Sequence, residues 1–145
     1  MAELLQNPKS MIQLPEELKG LIGTKTHVAE SDISQLPYLQ AVIKETLRLH
    51  PTVPIAFNKA EATIWDDLDK FMPYRFLGRD INFLGTNFEF IPRDAACLHL
   101  MLASLLHRFE WTIPDEVKGD DLDMAEEFGL VLSMAKPLRA VAKET

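Results

Sequence analysis

The clearest pattern of apolar and polar positions lies between Leu36 and Pro51. Mostly apolar residues that would share one face of a helix recur there at helical spacing. They are Leu39, Val42, Ile43, Thr46 and Leu47. Such a stripe predicts one amphipathic helix whose apolar side packs on a core. Pro37 suits the first turn of this helix, and Pro51 ends it because a proline disfavours the helical conformation of the residue before it.

The first 23 residues predict two further helices. Met1–Gln6 is short and favours a helix, and the Asn-Pro pair that follows is typical of an N-cap and a first-turn proline. An apolar side then continues to Ile22, but Pro15 falls inside it and costs about 3 kcal/mol in a helix interior. We therefore expect a break or kink near Leu14 and the end of the segment at Gly23.

The last third of the chain predicts one helix and two short strands. Residues 98–109 are apolar on nearly all sides, as is typical of a helix buried within a larger protein. Residues 128–132 and 137–141 suggest two strands joined around Lys136, and residues 115–127 form an acidic, solvated connection before them. The predicted fold is mainly α with a small β component.

Composition and charge exclude several functions. A chain of 145 residues with 47% hydrophobic and 26% charged residues is ordinary for one globular domain. The net charge of −7 argues against nucleic-acid binding, which needs a clustered basic face. The longest apolar run, around residues 98–106, is interrupted by His99 and is too short to span a bilayer, and no signal peptide is visible. We therefore expect a soluble or peripheral protein.

Glu45 and Arg48 lie off the apolar stripe of the predicted central helix. On spacing alone they form an i,i+3 ion pair on a solvated face, which contributes roughly 0.3 kcal/mol. The residues around them suggest a second interpretation. The whole run from 36 to 51, Leu-Pro-Tyr-Leu-Gln-Ala-Val-Ile-Lys-Glu-Thr-Leu-Arg-Leu-His-Pro, resembles the K helix of plant cytochromes P450, in which Glu45 and Arg48 would be the Glu-x-x-Arg motif.

The wider pattern is similar to the microsomal P450 branch that includes the geraniol 8-hydroxylases. The resemblance implies a buried triad in which a second arginine joins Glu45 and Arg48. Arg75 matches that second arginine, because Pro73-Tyr74-Arg75-Phe76 resembles the Pro-Glu-Arg-Phe motif of the P450 meander, with Tyr74 in place of the glutamate. The implied role of the triad is structural, and no catalytic residue is assigned. The two interpretations predict opposite burial for Glu45.

The resemblance treats residues 1–145 as a single, partial P450-like domain. Its parts are a J- and K-helix region over 1–51, a meander-like segment over 64–92, an L-helix-like segment over 98–111 and a C-terminal hairpin over 128–141. The chain passes from Glu61 almost directly to Ile64, where the family has several strands. A second short junction lies near Arg93. These junctions imply internal deletions and a truncated sheet.

Cys97 is the single cysteine, so an intramolecular disulfide is excluded. In the family, a loop of pattern F-x-x-G-x-R-x-C-x-G presents a cysteine thiolate to haem iron. Phe90 and Cys97 keep that spacing, but Arg93, Ala95 and His99 replace the two glycines and the arginine. The resemblance implies Cys97 as the axial haem and metal ligand. By itself, a lone cysteine beside a Leu-rich helix is usually a small buried hydrophobe.

The parent family implies a haem-dependent monooxygenase that hydroxylates a small hydrophobic substrate, such as a terpenoid. Its partner would be NADPH-cytochrome P450 reductase at the cytosolic face of the endoplasmic reticulum membrane. The altered cysteine loop predicts impaired catalysis in this chain, which lacks a visible membrane anchor. The alternative is a non-catalytic remnant, from alternative splicing or a pseudogene, that does not bind haem stably. Apolar faces without partners predict self-association in either case.

Overall fold

The computed structural model describes residues 1–50, 67–78, 92–114, 122–127, 129 and 133–144, with the side chains of 92–96 left out. Its helices are α1 (Ala2–Gln6), α2 (Pro8–Ile22), α3 (Glu30–Ile33), α4 (Pro37–Leu49) and α5 (Pro92–Arg108), with a 3-10 turn at Pro73–Phe76. Its strands are β1 (Phe109–Thr112), β2 (Glu126–Glu127), β3 (Ser133–Met134) and β4 (Val141–Glu144). The predicted fold class, mainly α with a small β component, is confirmed.

Helix α4 lies at the centre of the core. Three members of its predicted stripe, Leu39, Val42 and Ile43, are buried, and they pack with residues of α2 and α5. The helix begins at Pro37 and ends at Leu49, as the two prolines predict. Pro51 itself lies outside the described residues. Burial of this apolar side is the main stabilising contribution, at roughly 1.5–3 kcal/mol for each large side chain.

Helix α2 runs without interruption from Pro8 to Ile22, so the break predicted near Leu14 is wrong. Leu14 and Leu18, which flank Pro15, are both fully buried. Their packing offsets the backbone hydrogen bond that a proline removes inside a helix and the clash of its ring with the preceding turn. Gly23 ends the helix as expected, with a positive φ of 57° and its N–H donating to the Lys19 carbonyl at 3.1 Å.

The N-terminus of α4 is capped by a side chain from another helix. Leu36 occupies the N-cap position and offers no side-chain acceptor. Instead, the Glu17 carboxylate of α2 accepts hydrogen bonds from the Tyr38 N–H at 2.7 Å and the Leu39 N–H at 2.9 Å. The negative carboxylate also lies at the positive end of the helix dipole. This contact fixes α4 against α2.

The strands form two antiparallel two-stranded sheets. β1 pairs with β4, with Phe109 opposite Glu144 and Thr112 opposite Val141, and β2 pairs with β3. Most of the first strand of the hairpin predicted over 128–141 lies outside the described residues. Residues 137–140 are not a strand, and the chain beyond them pairs with β1 across the molecule. Pro137 fits this irregular passage because it has no N–H for a ladder.

Helix α5 is longer than the predicted segment over 98–109 and passes directly into β1. Ala103 and Leu106 reach the core. The other side carries Leu98, Met101 and Leu105, which are 42%, 57% and 36% exposed. Within the described part of the chain, no helix combines the length and apolarity needed to cross a bilayer.

Candidate functional site

Glu45 is the charged residue most completely withdrawn from solvent among those the structure describes. It lies on α4, and its side chain is 0% exposed. Arg48, one turn further along the same helix, is 9% exposed, and Arg75, from the 3-10 turn, is 8% exposed. Pro73 and Phe76 are buried on either side of Arg75 and hold that turn against the core. The three charged residues form the Glu45 cluster.

The carboxylate of Glu45 accepts hydrogen bonds on both oxygens. Arg48 binds it in a bidentate manner, with Nε donating to Oε2 at 2.8 Å and Nη2 donating to Oε1 at 2.9 Å. Arg75 Nε donates to Oε1 at 3.1 Å, and the backbone N–H of Met72 donates to the same oxygen at 2.8 Å. Four donors therefore compensate the desolvation of the buried carboxylate.

The Nη2 groups of both guanidiniums also bind backbone carbonyls. Arg48 Nη2 lies 3.3 Å from the Lys70 carbonyl oxygen. Arg75 Nη2 lies 3.2 Å from the Asp67 carbonyl oxygen and 3.4 Å from that of Lys70. Two guanidiniums and one carboxylate leave one net positive charge, which these carbonyl dipoles face. The cluster thus fastens residues 67–76 to α4.

This geometry shows that the solvent-exposed ion pair inferred from spacing alone is wrong. Asp67 and Lys70 show what such a pair looks like, since they have the same i,i+3 spacing and side chains that are 50% and 67% exposed. A carboxylate that accepts from four donors offers no ready acceptor for a substrate proton. The arrangement of Glu45, Arg48 and Arg75 is therefore suited to holding two segments together and not to acid–base chemistry.

Tyr74 makes a further contact between the same turn and the helices. It stands at the position of the glutamate in the Pro-Glu-Arg-Phe motif, and its hydroxyl donates to the side-chain oxygen of Gln13 on α2. Its ring lies 5.6 Å from the ring of Tyr38, whose hydroxyl bonds Ser10 at 3.0 Å. The tyrosine replaces a charged residue with an aromatic contact that reaches α2 as well as α4.

Comparison with known proteins places these residues in a family. The family model described as cytochrome P450 matches residues 1–60, which include α4 and its Glu45 and Arg48. Cytochrome P450 76C2 of Arabidopsis thaliana is 41% identical over 97% of this chain and 35% of its own length. Cytochrome P450 76T24 of Catharanthus roseus is 39% identical over 97% of this chain and 36% of its own length.

The chain belongs to the cytochrome P450 family. Berbamunine synthase of Berberis stolonifera is a further plant relative, 37% identical over 99% of this chain and 37% of its own length. The chain thus spans just over a third of the length of these curated P450s. The alignment with cytochrome P450 76C2 extends over 180 positions, whereas the chain has 145 residues, so at least 35 positions of that relative face gaps.

Haem is the cofactor that P450 membership implies, and Cys97 is the residue that the cysteine-loop spacing assigns to it. The structure places Cys97 within α5, which already begins at Pro92, and leaves its side chain exposed. The interpretation of Cys97 as a buried hydrophobe is therefore wrong. The contacts that join Glu45, Arg48 and Arg75 do not involve this cysteine.

The surroundings of Cys97 do not fit an axial thiolate. In a helix, successive backbone N–H groups point along the helix axis toward earlier carbonyls, so they are not free to converge on a sulfur from a loop. The residues beside Cys97 on α5 include the exposed Leu98 and Met101, which leave that surface open. Among the residues described, no group of three or more histidine, cysteine, aspartate or glutamate side chains could hold a metal ion.

Two residues that the sequence analysis did not select have notable polar contacts. Glu17 caps α4, as described above. His50, which follows α4, lies between two carboxylates, with Nε2 2.7 Å from Glu3 Oε1 and Nδ1 2.6 Å from Glu126 Oε1. Hydrogen bonding to Glu3, and then to Glu126, raises the pKa of His50 above its ordinary 6.5, against the opposing effect of partial burial. The partners are 47 and 76 residues away, so no local pattern marks them.

Proposed function

We propose that this chain corresponds to the C-terminal scaffold of a plant haem-thiolate monooxygenase. The parent enzyme would belong to the branch that includes the geraniol 8-hydroxylases, and it would hydroxylate a small hydrophobic substrate such as a terpenoid. It would take electrons from NADPH-cytochrome P450 reductase at the endoplasmic reticulum membrane. The observation that supports the proposal is the buried Glu45 cluster, because the P450 resemblance implies a buried triad of the same three residues.

The proposal assigns a structural role to Glu45, Arg48 and Arg75. In this assignment residues 1–51 are the J- and K-helix region and residues 64–92 are meander-like. Residues 98–111 are L-helix-like. Residues 128–141 correspond in sequence to the C-terminal hairpin, although residues 137–140 are not a strand and β4 pairs with β1. The contacts of the cluster support the first two assignments, since they join α4 to residues 67–76. The helix that ends at Arg108 supports the third.

A second candidate function is a non-catalytic P450 remnant, and the position of Cys97 favours it. The exposed cysteine within α5 does not provide the donor-lined loop that a thiolate ligand needs. The gaps in the alignment support internal deletions, and we propose that these lie at the short junctions near Glu61 and near Arg93. We propose that catalysis is impaired in this chain and that Cys97 does not hold haem.

Haem reconstitution tests this proposal. The full chain is incubated with haem, reduced and exposed to carbon monoxide, and the red shift of the Soret band that marks a thiolate ligand is measured. Cytochrome P450 76C2 of Arabidopsis thaliana, prepared in the same way, is the positive control. We expect the band in the control and its absence in this chain. A band in this chain that disappears in Cys97→Ser would overturn the proposal of impaired haem binding.

A matched variant separates the loop sequence from the missing segments. The substitutions Arg93→Gly, Ala95→Arg and His99→Gly restore the family pattern around Cys97. If internal deletions are the cause, the restored chain still gives no thiolate band. Appearance of the band in this variant alone would show that the loop residues, and not the deletions, abolish haem ligation. Transcript sequencing across the junctions near Glu61 and Arg93 tests whether segments were skipped.

A further inference from the structure

His50 joins three parts of the chain that are distant in sequence. It is the C-cap residue of α4, while Glu3 belongs to α1 and Glu126 to β2. Both ring nitrogens lie within hydrogen-bonding distance of a carboxylate oxygen, at 2.7 and 2.6 Å. A neutral imidazole carries one N–H and can donate to only one of the two. Both contacts are hydrogen bonds only when the ring is protonated.

The same three parts make supporting contacts. The side-chain amide of Gln6, on α1, donates to the Leu122 carbonyl oxygen at 3.1 Å, just before the β2–β3 hairpin. Within the hairpin, the Ala135 N–H donates to the Ala125 carbonyl oxygen at 2.8 Å. The hairpin contains only two residues in each strand. So small a unit is not stable by itself, and its position depends on contacts with the rest of the protein.

The charged groups around His50 come from each element packed against it. Glu3 lies on the α1 side and also interacts with the Met1 ammonium, and Glu126 lies on the hairpin side. The meander-like segment contributes Asp69 and Lys70, which line with His50 a cavity of about 710 Å³. Arg48 of α4 is engaged by Glu45. The carboxylates in direct contact with the ring therefore dominate its field, and they favour the charged imidazole.

We propose that His50 is a pH-dependent clamp that holds α1 and the β2–β3 hairpin on the C-terminal end of α4 while the ring is protonated. Loss of the proton removes one hydrogen bond and leaves two carboxylates facing a neutral ring. The hairpin then detaches before the core unfolds, because no hairpin residue that the structure describes belongs to the hydrophobic cluster of Leu14, Leu18 and Leu39. The clamp belongs to the scaffold and does not depend on haem binding.

The direction of the pH dependence follows from the raised pKa of His50. A base whose pKa is higher in the folded state binds its proton more tightly there than in the unfolded chain. The contribution of the clamp is therefore fully present below the ordinary pKa of 6.5 and is lost as the pH rises through the raised value. Alkaline conditions release the hairpin, and mildly acidic conditions retain it.

Nuclear magnetic resonance on the full chain tests the clamp. The titration of the His50 ring is assigned by its loss in His50→Gln, and we expect a midpoint above 6.5. Hydrogen exchange of the Ala135 amide, corrected for intrinsic exchange, reports attachment of the hairpin. We expect protection to fall roughly tenfold between about pH 6 and about pH 9 in the natural sequence. In His50→Gln, protection should not change with pH.

Two glutamate variants are matched controls. Glu126→Gln keeps the shape and an acceptor but removes the charge, and we expect it to move the His50 midpoint down. Glu127→Gln removes the charge of the exposed neighbour in the same strand and should leave the midpoint unchanged. Far-ultraviolet circular dichroism at about pH 6 checks that each variant is folded. The proposal is overturned if the natural midpoint lies at or below 6.5, or if His50→Gln retains the same pH-dependent protection.

Discussion

Helices α4 and α5 differ in how completely the described residues bury their apolar side chains and pair their charged groups. On α4 the apolar side is buried and its single buried charge, Glu45, has four hydrogen-bond donors. On α5 only one side reaches the core, while Leu98, Met101 and Leu105 remain exposed. The apolar side of α4 is therefore covered within the described chain, whereas the exposed apolar side chains of α5 are typical of a helix that packs against a further partner surface.

Substitution of Glu45 should produce the largest effect. Glu45→Ala leaves two buried guanidiniums and the Met72 N–H without their acceptor, so we expect the free energy of unfolding to fall by about 3–5 kcal/mol. Denaturant unfolding measures this change. Lys70→Ala is the control because it breaks the exposed pair of the same spacing, and it should cost about 0–1 kcal/mol. Equal losses in the two variants would contradict the contrast between the buried and the exposed pair.

The two sides of α5 should respond differently when a large side chain is replaced by alanine. Leu106→Ala removes a buried side chain and should lower the free energy of unfolding by about 2–5 kcal/mol. Met101→Ala removes an exposed one and should change it by about 0.5 kcal/mol or less. Thermal or denaturant unfolding compares them. A large loss in Met101→Ala would show that the apolar surface of α5 is covered in the folded chain.

The same surface should control association. Met101→Lys places a charge in the exposed stripe, and we expect a shift toward monomer in sedimentation velocity because burial of the stripe between copies becomes costly. Ser104→Lys, at an exposed position of the same helix, controls for the added charge alone. If the natural chain is monomeric and unfolds in one sharp transition, self-association through this surface is excluded.

Removal of the tertiary cap should have a smaller effect. Glu17→Ala leaves the Tyr38 and Leu39 N–H groups without their carboxylate, and we expect a loss of about 1–2 kcal/mol of stability. Glu16→Ala, an exposed neighbour, should fall within about 0.5 kcal/mol of the natural chain. Chemical denaturation separates the two, and identical stabilities would show that the cap contributes nothing measurable.

Local sequence patterns predicted α4 well because its bounds depend on local chemistry. Pro37 and Pro51 restrict the backbone beside them, and the apolar stripe has the period of a helix. At Pro15 the same reasoning predicted a break that does not occur, since burial of Leu14 and Leu18 outweighs the cost of the proline. Propensity is a weak guide when packing on both sides of a position favours the helix.

The polar contacts were harder to predict because their partners are distant in the chain. Spacing alone could not tell whether Glu45 is buried, since the same i,i+3 spacing occurs in an exposed pair. The resemblance to P450s supplied Arg75 as a partner, 30 residues away. Nothing in the sequence indicated that Glu17 would cap a helix 21 residues further on. The pairing of β4 with β1 also depends on the path of the whole chain.

The Glu45 cluster binds the main chain of residues 67–72. Its contacts there are the Met72 N–H and the carbonyl oxygens of Asp67 and Lys70. Residue types can therefore change at positions such as Asp69 without loss of the attachment, as long as the backbone keeps its path. A proline at Met72 is different, because it removes the donated N–H. Mutational tolerance at Asp69 should follow backbone geometry, whereas the side chain of Phe71 packs against the core and should be sensitive to its type.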